Sequence, residues 1–461
     1  MRDYMRQLII GVDADGVLNN MSKFHIKYGT KFFKREPVQP EAYSVREMFA
    51  CSPFMEVLYG LFYFKKYCKE YEPREEASSV IQELNQEGHE LHEITARKFV
   101  TLRNFLGKYS RNMFETWTEK YNMDFKSYQY CSEKWSPRDK WIACHKLSVD
   151  VMIDDKPDVA LYLANHGIKV LLFDAPYNQD VKHENITRVF NWVEVHDQIQ
   201  DLRVQMQEEE EKDFQILDGK ERQKLTPFEL RNYLRNYKKY LKQQPYNVET
   251  NKQFDRNFKL FRTLGMLPMI FTKIKVEGKE NIPYQDGLIF ASNHLDSYDQ
   301  FFISKALGNR PLRGLAATTI KDTFRGKLFQ KSGVTFVDRT DAEDKKMAEE
   351  KLCIDLVNDN NILIFPEGTR KNKTEEGKQK KILQFQLGTA SIAQKTGSPI
   401  VPIAIVKKNN FVSIRFDNPI VVGYENDIET ATNMLQENIV TLIDKPQELV
   451  KKRSPYSKKN Q

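Results

Sequence analysis

From Leu8 to about Trp192 the chain alternates short apolar, β-rich runs with stretches of helical periodicity. The runs Leu8–Asp13, Glu90–Thr95, Val149–Asp154 and Ile168–Phe173 are bounded by turn residues, which predicts strands. Glu75–Glu87 and Asp139–Leu147, lying between them, repeat apolar positions at helical spacing. Strands alternating with helices predict an α/β fold, a parallel sheet with helices on both faces. The carboxyl ends of such strands share one edge, and ligands bind along that edge.

The pattern breaks near Val195. The stretch "QIQDLRVQMQEEEEKDFQILDGKERQKL" is highly charged and poor in apolar residues. It reads as a partly helical linker over 196–225, with a solvated helix packed on a domain as the alternative. A second block of alternating elements begins near Ile274, with strands predicted at Leu288–Ser292, Val334–Val337, Asn361–Phe365, Ile400–Val406 and Val412–Phe416. The expected organisation is a first domain over 1–195, the linker, a second domain over 226–450 and a basic tail over 451–461. At 461 residues the chain is too long for one typical core, which agrees with two domains.

Charge adds a modest constraint. Lysine and arginine exceed aspartate and glutamate by 71 to 64, a net +7 that suits an anionic substrate or membrane surface and is too weak to argue for nucleic acid. The five cysteines are scattered and none forms a Cys-x-x-Cys pair, so free thiols in a reducing compartment are expected. The N-terminal apolar run is too short for a signal peptide, and no window approaches the roughly 20 apolar residues of a spanning helix.

The first strand ends in "VDADG", which places Asp13 and Asp15 with one residue between them. Two like charges at the end of a buried strand repel each other, and a divalent cation would offset the cost. Three further segments fit that reading. Thr95 ends the second strand in "HEITAR". Lys140 begins a helix in "SPRDKWIACHKL", with Lys134 as a rival. Asp154 and Asp155 end a later strand in "VMIDDKPD". Each alone has a plain structural explanation: a strand-end turn, strand packing, a surface lysine, a helix cap. Together, and in this order, they suit phosphoryl transfer. One aspartate attacks phosphorus, its neighbour two positions on moves the proton, and a hydroxyl and an ammonium hold phosphate oxygens.

"DADGVL", "ITAR", Lys140 and "IDD" resemble the four motifs of the haloacid dehalogenase superfamily of phosphatases, with wording nearest the cytosolic 5′-nucleotidase-like branch. The resemblance covers about Leu8 to Trp192 and implies a Rossmann-like core with a helical cap over about 20–72. It implies Asp13 as nucleophile, Asp15 as acid/base, Thr95 and Lys140 on the phosphate, and Mg2+ held by Asp13, Asp15 and Asp154. The aromatic residues of "KYGTKFF" and "LYGLFYFKKY" would either line a substrate pocket or pack the cap's own small core.

The second block carries "LIFASNHLDSYDQFF", with His294 five positions before Asp299. A carboxylate beside an imidazole fixes its tautomer and stabilises its cation, which makes a general base. "GVTFVDR" puts Arg339 just past a strand, and "LIFPEGTR" puts Glu367, Gly368, Thr369 and Arg370 at a strand end. Arginine offers forked donors to phosphate, and glycine permits close backbone approach. With "IVPIAIV", these segments resemble the four blocks of the glycerolipid acyltransferases, the lysophosphatidic acid acyltransferase family, over about Phe258 to Val422. The resemblance implies a C-terminal α/β acyltransferase domain in which His294 deprotonates a glycerol hydroxyl and Asp299 orients it. Arg339, Glu367, Gly368, Thr369 and Arg370 would bind the acceptor phosphate, and Pro402 would shape the acyl pocket. The donor would be a thioester, acyl-CoA or acyl carrier protein. One departure stands out: "FQLG" carries Gln386 where the family commonly has lysine.

The expectation is therefore a 1-acylglycerol-3-phosphate acyltransferase fused to a magnesium-dependent phosphatase. The phosphatase domain would act on the acylated product, on nucleotides or on another soluble phosphate ester, or would serve as a non-catalytic scaffold. Asn257–Val276 reads as an interfacial helix pair broken at Pro268, with a core helix as the alternative. That reading places the protein in the cytoplasm, peripheral on the cytoplasmic face of a membrane.

Overall fold

The computed structural model describes residues 6–445 apart from 98, 218–226, 267–270, 371–374, 376–378, 409 and 425. The basic tail and most of the lysine-rich loop after Arg370 lie outside the described residues.

The first sheet comprises β1 (Ile9–Val12), β2 (Glu90–Thr95), β3 (Ser127–Tyr130), β4 (Val151–Asp154), β5 (Lys169–Phe173) and β6 (Ile186–Val189). Its order is β3-β2-β1-β4-β5-β6, and all neighbours are parallel. The central strand shows why both faces are covered. Leu8, Ile10 and Val12 enter one core with Trp117 and Trp192, while Ile9 enters the other with Val159 and Leu163, as period-two alternation requires. The edge strands β3 and β6 escaped the sequence reading because they are only part-buried and carry polar residues.

Residues 196–206, read above as the start of a linker, belong to a continuous helix, Trp192–Leu217. Val195, Ile199, Leu202 and Met206 recur at helical spacing and pack on the first core. The cap consists of the helices Met21–Phe33, Val45–Met48 and Pro53–Lys69. Phe24, Phe49 and Tyr59 are buried among Phe32, Phe33 and Tyr63, so most cap aromatics pack a core of their own.

The second sheet comprises β7 (Lys273–Glu277), β8 (Ile289–Ser292), β9 (Leu312–Ala317), β10 (Val334–Val337), β11 (Asn361–Ile364), β12 (Ile400–Lys408) and β13 (Phe411–Phe416). The order is β10-β9-β11-β8-β12-β13-β7, with β12 and β13 antiparallel and the other neighbours parallel. β7 corrects one expectation. The helix Val248–Met266 forms, but the second half of the predicted helix pair is in part a strand, because "KIKVE" alternates and pairs with β13 along the sheet edge. No helix among the described residues is long and apolar enough to cross a membrane.

Candidate active sites

The first site sits at the carboxyl edge of β1, β2 and β4. Leaving β1, the chain is tied to β4 by the Asp13 amide, which donates to the Ile153 carbonyl at 2.9 Å. It then turns through Gly16 at φ +86°, where a Cβ would lie 1.7 Å from an Asp155 carboxylate oxygen. Only glycine allows the turn to pass that close.

The turn brings Asp13, Asp154 and Asp155 together, all buried, with carboxylate oxygens within 4.8 Å of one another. Lys140 reaches into the group, 2.9 Å from Asp13 Oδ1 and 2.7 Å from Asp154 Oδ2. Lys134 instead lies over the Trp135 ring. Burial pushes the Asp13 carboxyl up, against the pull of Lys140, to about 7, and Asp154 and Asp15 add to the rise. Burial and the neighbouring Asp154 raise Asp155 as well. Despite burial, Asp13 and Asp154 hold the Lys140 ammonium well above its usual range. Three carboxylates face one ammonium, and Asp155 Oδ1 is buried with no hydrogen-bond partner among the described residues. This donor set fits a hard divalent cation.

Thr95 Oγ1 is also buried, without a partner among the described residues, at the end of β2, beside the strand that carries Asp13. The Asp15 carboxylate is turned elsewhere. Arg97 grips it with Nη2 2.6 Å from Oδ1 and Nε 3.1 Å from Oδ2, and the Tyr67 hydroxyl donates to Oδ1 at 2.7 Å. Tyr67 comes from the cap helix Pro53–Lys69, and the Arg97 guanidinium lies over the Phe114 and Tyr67 rings. Neither was singled out from sequence. Arg97 stood in "ITAR" two positions past Thr95, and Tyr67 was one of the aromatics of "LYGLFYFKKY" read as lining a pocket or packing the cap.

The second site lies at the end of β8. Asn293 anchors the loop to β12 by accepting from the Ile405 amide at 2.8 Å and donating to its carbonyl at 3.0 Å. Nδ1 of His294 is 2.8 Å from Asp299 Oδ2. The same oxygen accepts from the Leu295 and Asp296 amides at 2.7 and 2.8 Å. Asp299 Oδ1 pairs with Lys407 at 2.6 Å. Burial alone would raise the Asp299 carboxyl, but His294, Lys407 and the Asp296 amide outweigh it and hold it below its ordinary value. An ionised Asp299 makes Nδ1 the protonated ring nitrogen and leaves Nε2 basic. The ring stacks on Phe365 at 3.9 Å, which fixes its plane. Lys407 was not foreseen; it lies at the end of a strand whose pattern reads only as core.

Glu367 is buried with both oxygens bonded to main chain, to the His294 amide at 2.7 Å and the Leu383 amide at 2.8 Å. Gly368 turns at φ +69°, and Gln386 packs beside it, its Cγ 3.6 Å from where a Cβ would be. Thr369 and Arg370 follow, part-buried. Arg339 is exposed in the turn after β10. Two strands separate β10 from β8, which puts Arg339 on the order of 14 Å from the His294 strand. Pro402 is buried in β12 opposite Ala291 of β8.

Two family models match the chain: 5′ nucleotidase, deoxy (pyrimidine), cytosolic type C protein over residues 7–207, and acyltransferase over residues 273–406. A nucleotidase of Clostridium acetobutylicum is 28% identical over 206 residues, 42% of this chain and 93% of that protein. A 1-acyl-sn-glycerol-3-phosphate acyltransferase of Borreliella burgdorferi is 30% identical over 139 residues, 30% of this chain and 53% of that protein. The chain thus spans about half the length of the first acyltransferase relatives it matches. Among solved structures, a 1-acyl-sn-glycerophosphate acyltransferase from Thermotoga maritima aligns at 20% identity over 47% of this chain and 90% of its own, with a TM-score of 0.33.

Proposed function

We infer that this chain, a fusion of a haloacid dehalogenase-type phosphatase domain with an acyltransferase domain of the lysophosphatidic acid acyltransferase kind, acylates lysophosphatidic acid at His294 and hydrolyses a phosphate ester at Asp13. The observation that carries the first activity is the 2.8 Å contact between His294 Nδ1 and Asp299. With that proton held, Nε2 takes the proton of the glycerol hydroxyl. The oxygen attacks the thioester carbonyl, the C–S bond breaks, and the imidazolium returns the proton to the departing thiolate. The thioester is already activated, so no acyl-enzyme is needed. Acyl-CoA or acyl carrier protein would serve as donor.

Arg339 and Arg370 are read as anchors for the acceptor phosphate, with Gly368 and Thr369 shaping the backbone that receives it. Glu367 is better read as a positioning residue. A carboxylate repels phosphate, and both of its oxygens are committed to amides.

In the other domain, Asp13 would attack phosphorus while Asp15 protonates the leaving oxygen and then deprotonates the water that releases phosphate. Lys140 and the unpartnered Thr95 hydroxyl would hold phosphate oxygens. Mg2+ held by Asp13, Asp154 and Asp155 would supply the positive charge that three carboxylates and a phosphate require. The hydrogen bond from Tyr67 of the cap to Asp15 supports a small phosphate ester enclosed beneath the cap as the substrate.

Peripheral membrane contact is supported by Leu260 and Leu264 on the helix Val248–Met266 and by Phe271 and Phe324, which are exposed apolar side chains among lysines and arginines. Such contact on the cytoplasmic face would bring the acceptor to His294. Lipid products and released phosphate, measured with purified protein, lysophosphatidic acid and acyl-CoA with and without magnesium, test both activities. Absence of phosphatidic acid would overturn the first and absence of magnesium-dependent phosphate release the second.

A further inference from the structure

The two domains meet along the helix Pro227–Gln243, and the charges on that seam do not balance. Arg231, Arg235, Lys238 and Lys242 recur at four, three and four positions, one face of a helix. They meet few acids. The Asp150 carboxylate is shared by Arg6 at 2.9 Å, Arg231 at 3.3 Å and Arg235 at 3.4 Å. Lys146, nearby, takes Asp359 at 2.5 Å. Lys238 makes no ion pair among the described residues. Its ammonium donates to neutral oxygens, Ser148 Oγ at 2.9 Å and the Lys146 carbonyl at 3.4 Å.

Lys238 and Arg231 line a cleft between the domains, partly open to solvent, and among the described residues that line it there is no aspartate or glutamate. Its lining also includes planar rings. Trp141 and His166 from the first domain pack with ring centroids 4.3 Å apart, and Tyr424 from the second domain lies 5.6 Å from the Arg231 guanidinium. Burial and the surrounding cations Lys242, Arg231, Lys146 and Arg235 push the Lys238 ammonium down to about 7. A lysine so placed gains from an anion brought to its nitrogen, and the cleft gives that anion a way in.

We propose that this cleft is an anion site that takes a phosphate group between Lys238 and Arg231, either as free phosphate or as a small ester whose planar ring rests on Trp141 or Tyr424. The site is separate from both active centres and is made by side chains of both domains. An occupant therefore bridges them and stabilises their docking.

Equilibrium dialysis of the full-length chain against labelled inorganic phosphate tests this by stoichiometry, since phosphate also binds the catalytic centres. Lys238→Met and Arg231→Met are each expected to bind one equivalent fewer than the unaltered chain, with acyl transfer and phosphate-ester hydrolysis unchanged when no phosphate is added. Lys238→Met removes a charge crowded by like charges. Its melting temperature without phosphate should match or exceed that of the unaltered chain, while its gain on adding phosphate should be smaller. The same dialysis with adenosine 5′-monophosphate, in an Asp13→Asn background so that the ester persists, separates the sources. Tighter binding than phosphate assigns the ring to the aromatic walls, and equal binding assigns the phosphate alone. An unchanged stoichiometry in both variants, for both probes, overturns the proposal, and Arg231→Met decides it if Lys238→Met does not fold.

Discussion

The main-chain amide of His294 donates to Glu367 Oε1 at 2.7 Å, so a residue 73 positions away in the chain sets where His294 sits. Glu367 also holds the Leu383 amide, and thereby ties three segments of the acyltransferase domain at one carboxylate. Glu367→Gln keeps the size but replaces one acceptor oxygen with a donor that opposes an amide N–H. Losing a charge-assisted bond costs about 1.5–3 kcal/mol, roughly a ten- to hundredfold effect. We expect it in kcat, with the acceptor KM little changed. A rise in acceptor KM alone would instead put Glu367 on the substrate.

Arg339→Ala should act on the other constant. The acceptor carries a phosphate that a guanidinium can hold by two hydrogen bonds, so its kcat/KM is expected to fall roughly ten- to hundredfold while the donor KM stays put. Steady-state kinetics with each substrate varied in turn will check this. If the donor constant rises instead, Arg339 belongs to donor binding and Arg370 becomes the acceptor anchor to test.

His294→Ala and Asp13→Asn should separate the activities. The first is expected to abolish acyl transfer and leave phosphate release intact; the second should do the reverse and prevent a labile phospho-enzyme. The two residues lie on different sheets with separate cores. Loss of both activities in either folded variant would refute independent sites.

Asp299 gives a pH signature in stability. Burial would raise its carboxyl, but His294 and Lys407 hold it below its ordinary value, so the folded protein keeps it ionised more readily than the unfolded chain does. Its contribution is complete above the unfolded value near 4 and is lost as pH falls through the lower folded value. Asp299→Asn breaks a buried charge pair and should cost about 3 kcal/mol at neutral pH. The gap in melting temperature between variant and unaltered chain should narrow below about pH 4. A pH-independent gap would mean that shape, not charge, is what Asn fails to supply.

Glu93 carries the opposite sign. It is fully buried on β2, with neither carboxylate oxygen hydrogen-bonded among the described residues, and burial, with Asp13 nearby, raises it well above the usual range. Folding therefore favours its protonated form. Stability is lost as pH climbs from the unfolded value near 4.3 toward the folded one. Glu93→Gln should be at least as stable as the unaltered chain at neutral pH, with an advantage that grows from pH 5 to pH 8. An advantage that shrinks over that range would show that the ionised carboxylate has a partner in solution.

Local pattern alone determined much of this protein. Strand existence follows from short apolar runs, so β2 and β10 fall on the expected residues, and β1, β4, β5, β8 and β11 within two. Parallel strands place their carboxyl ends on one edge, so Asp13, Thr95 and Asp154 were bound to converge once the alternation with helices was clear. The contact between His294 and Asp299 was legible because it spans one short loop.

Tertiary structure decided what depends on distant residues or on exposure. β3, β6 and β7 have mixed or polar faces because a sheet edge buries only part of each strand, and no local apolar run marks them. The helix Trp192–Leu217 looks like a linker because only one narrow stripe meets the core. Tyr67 on Asp15, Glu367 on the His294 amide and Lys407 on Asp299 join residues separated by 52, 73 and 108 positions. Such contacts are set by how caps, loops and strands pack in space, and sequence spacing carries no record of that. The basic face of the helix Pro227–Gln243 is the same kind of case. As sequence it is a charged helix, and only the docking of two domains turns it into the wall of a cleft.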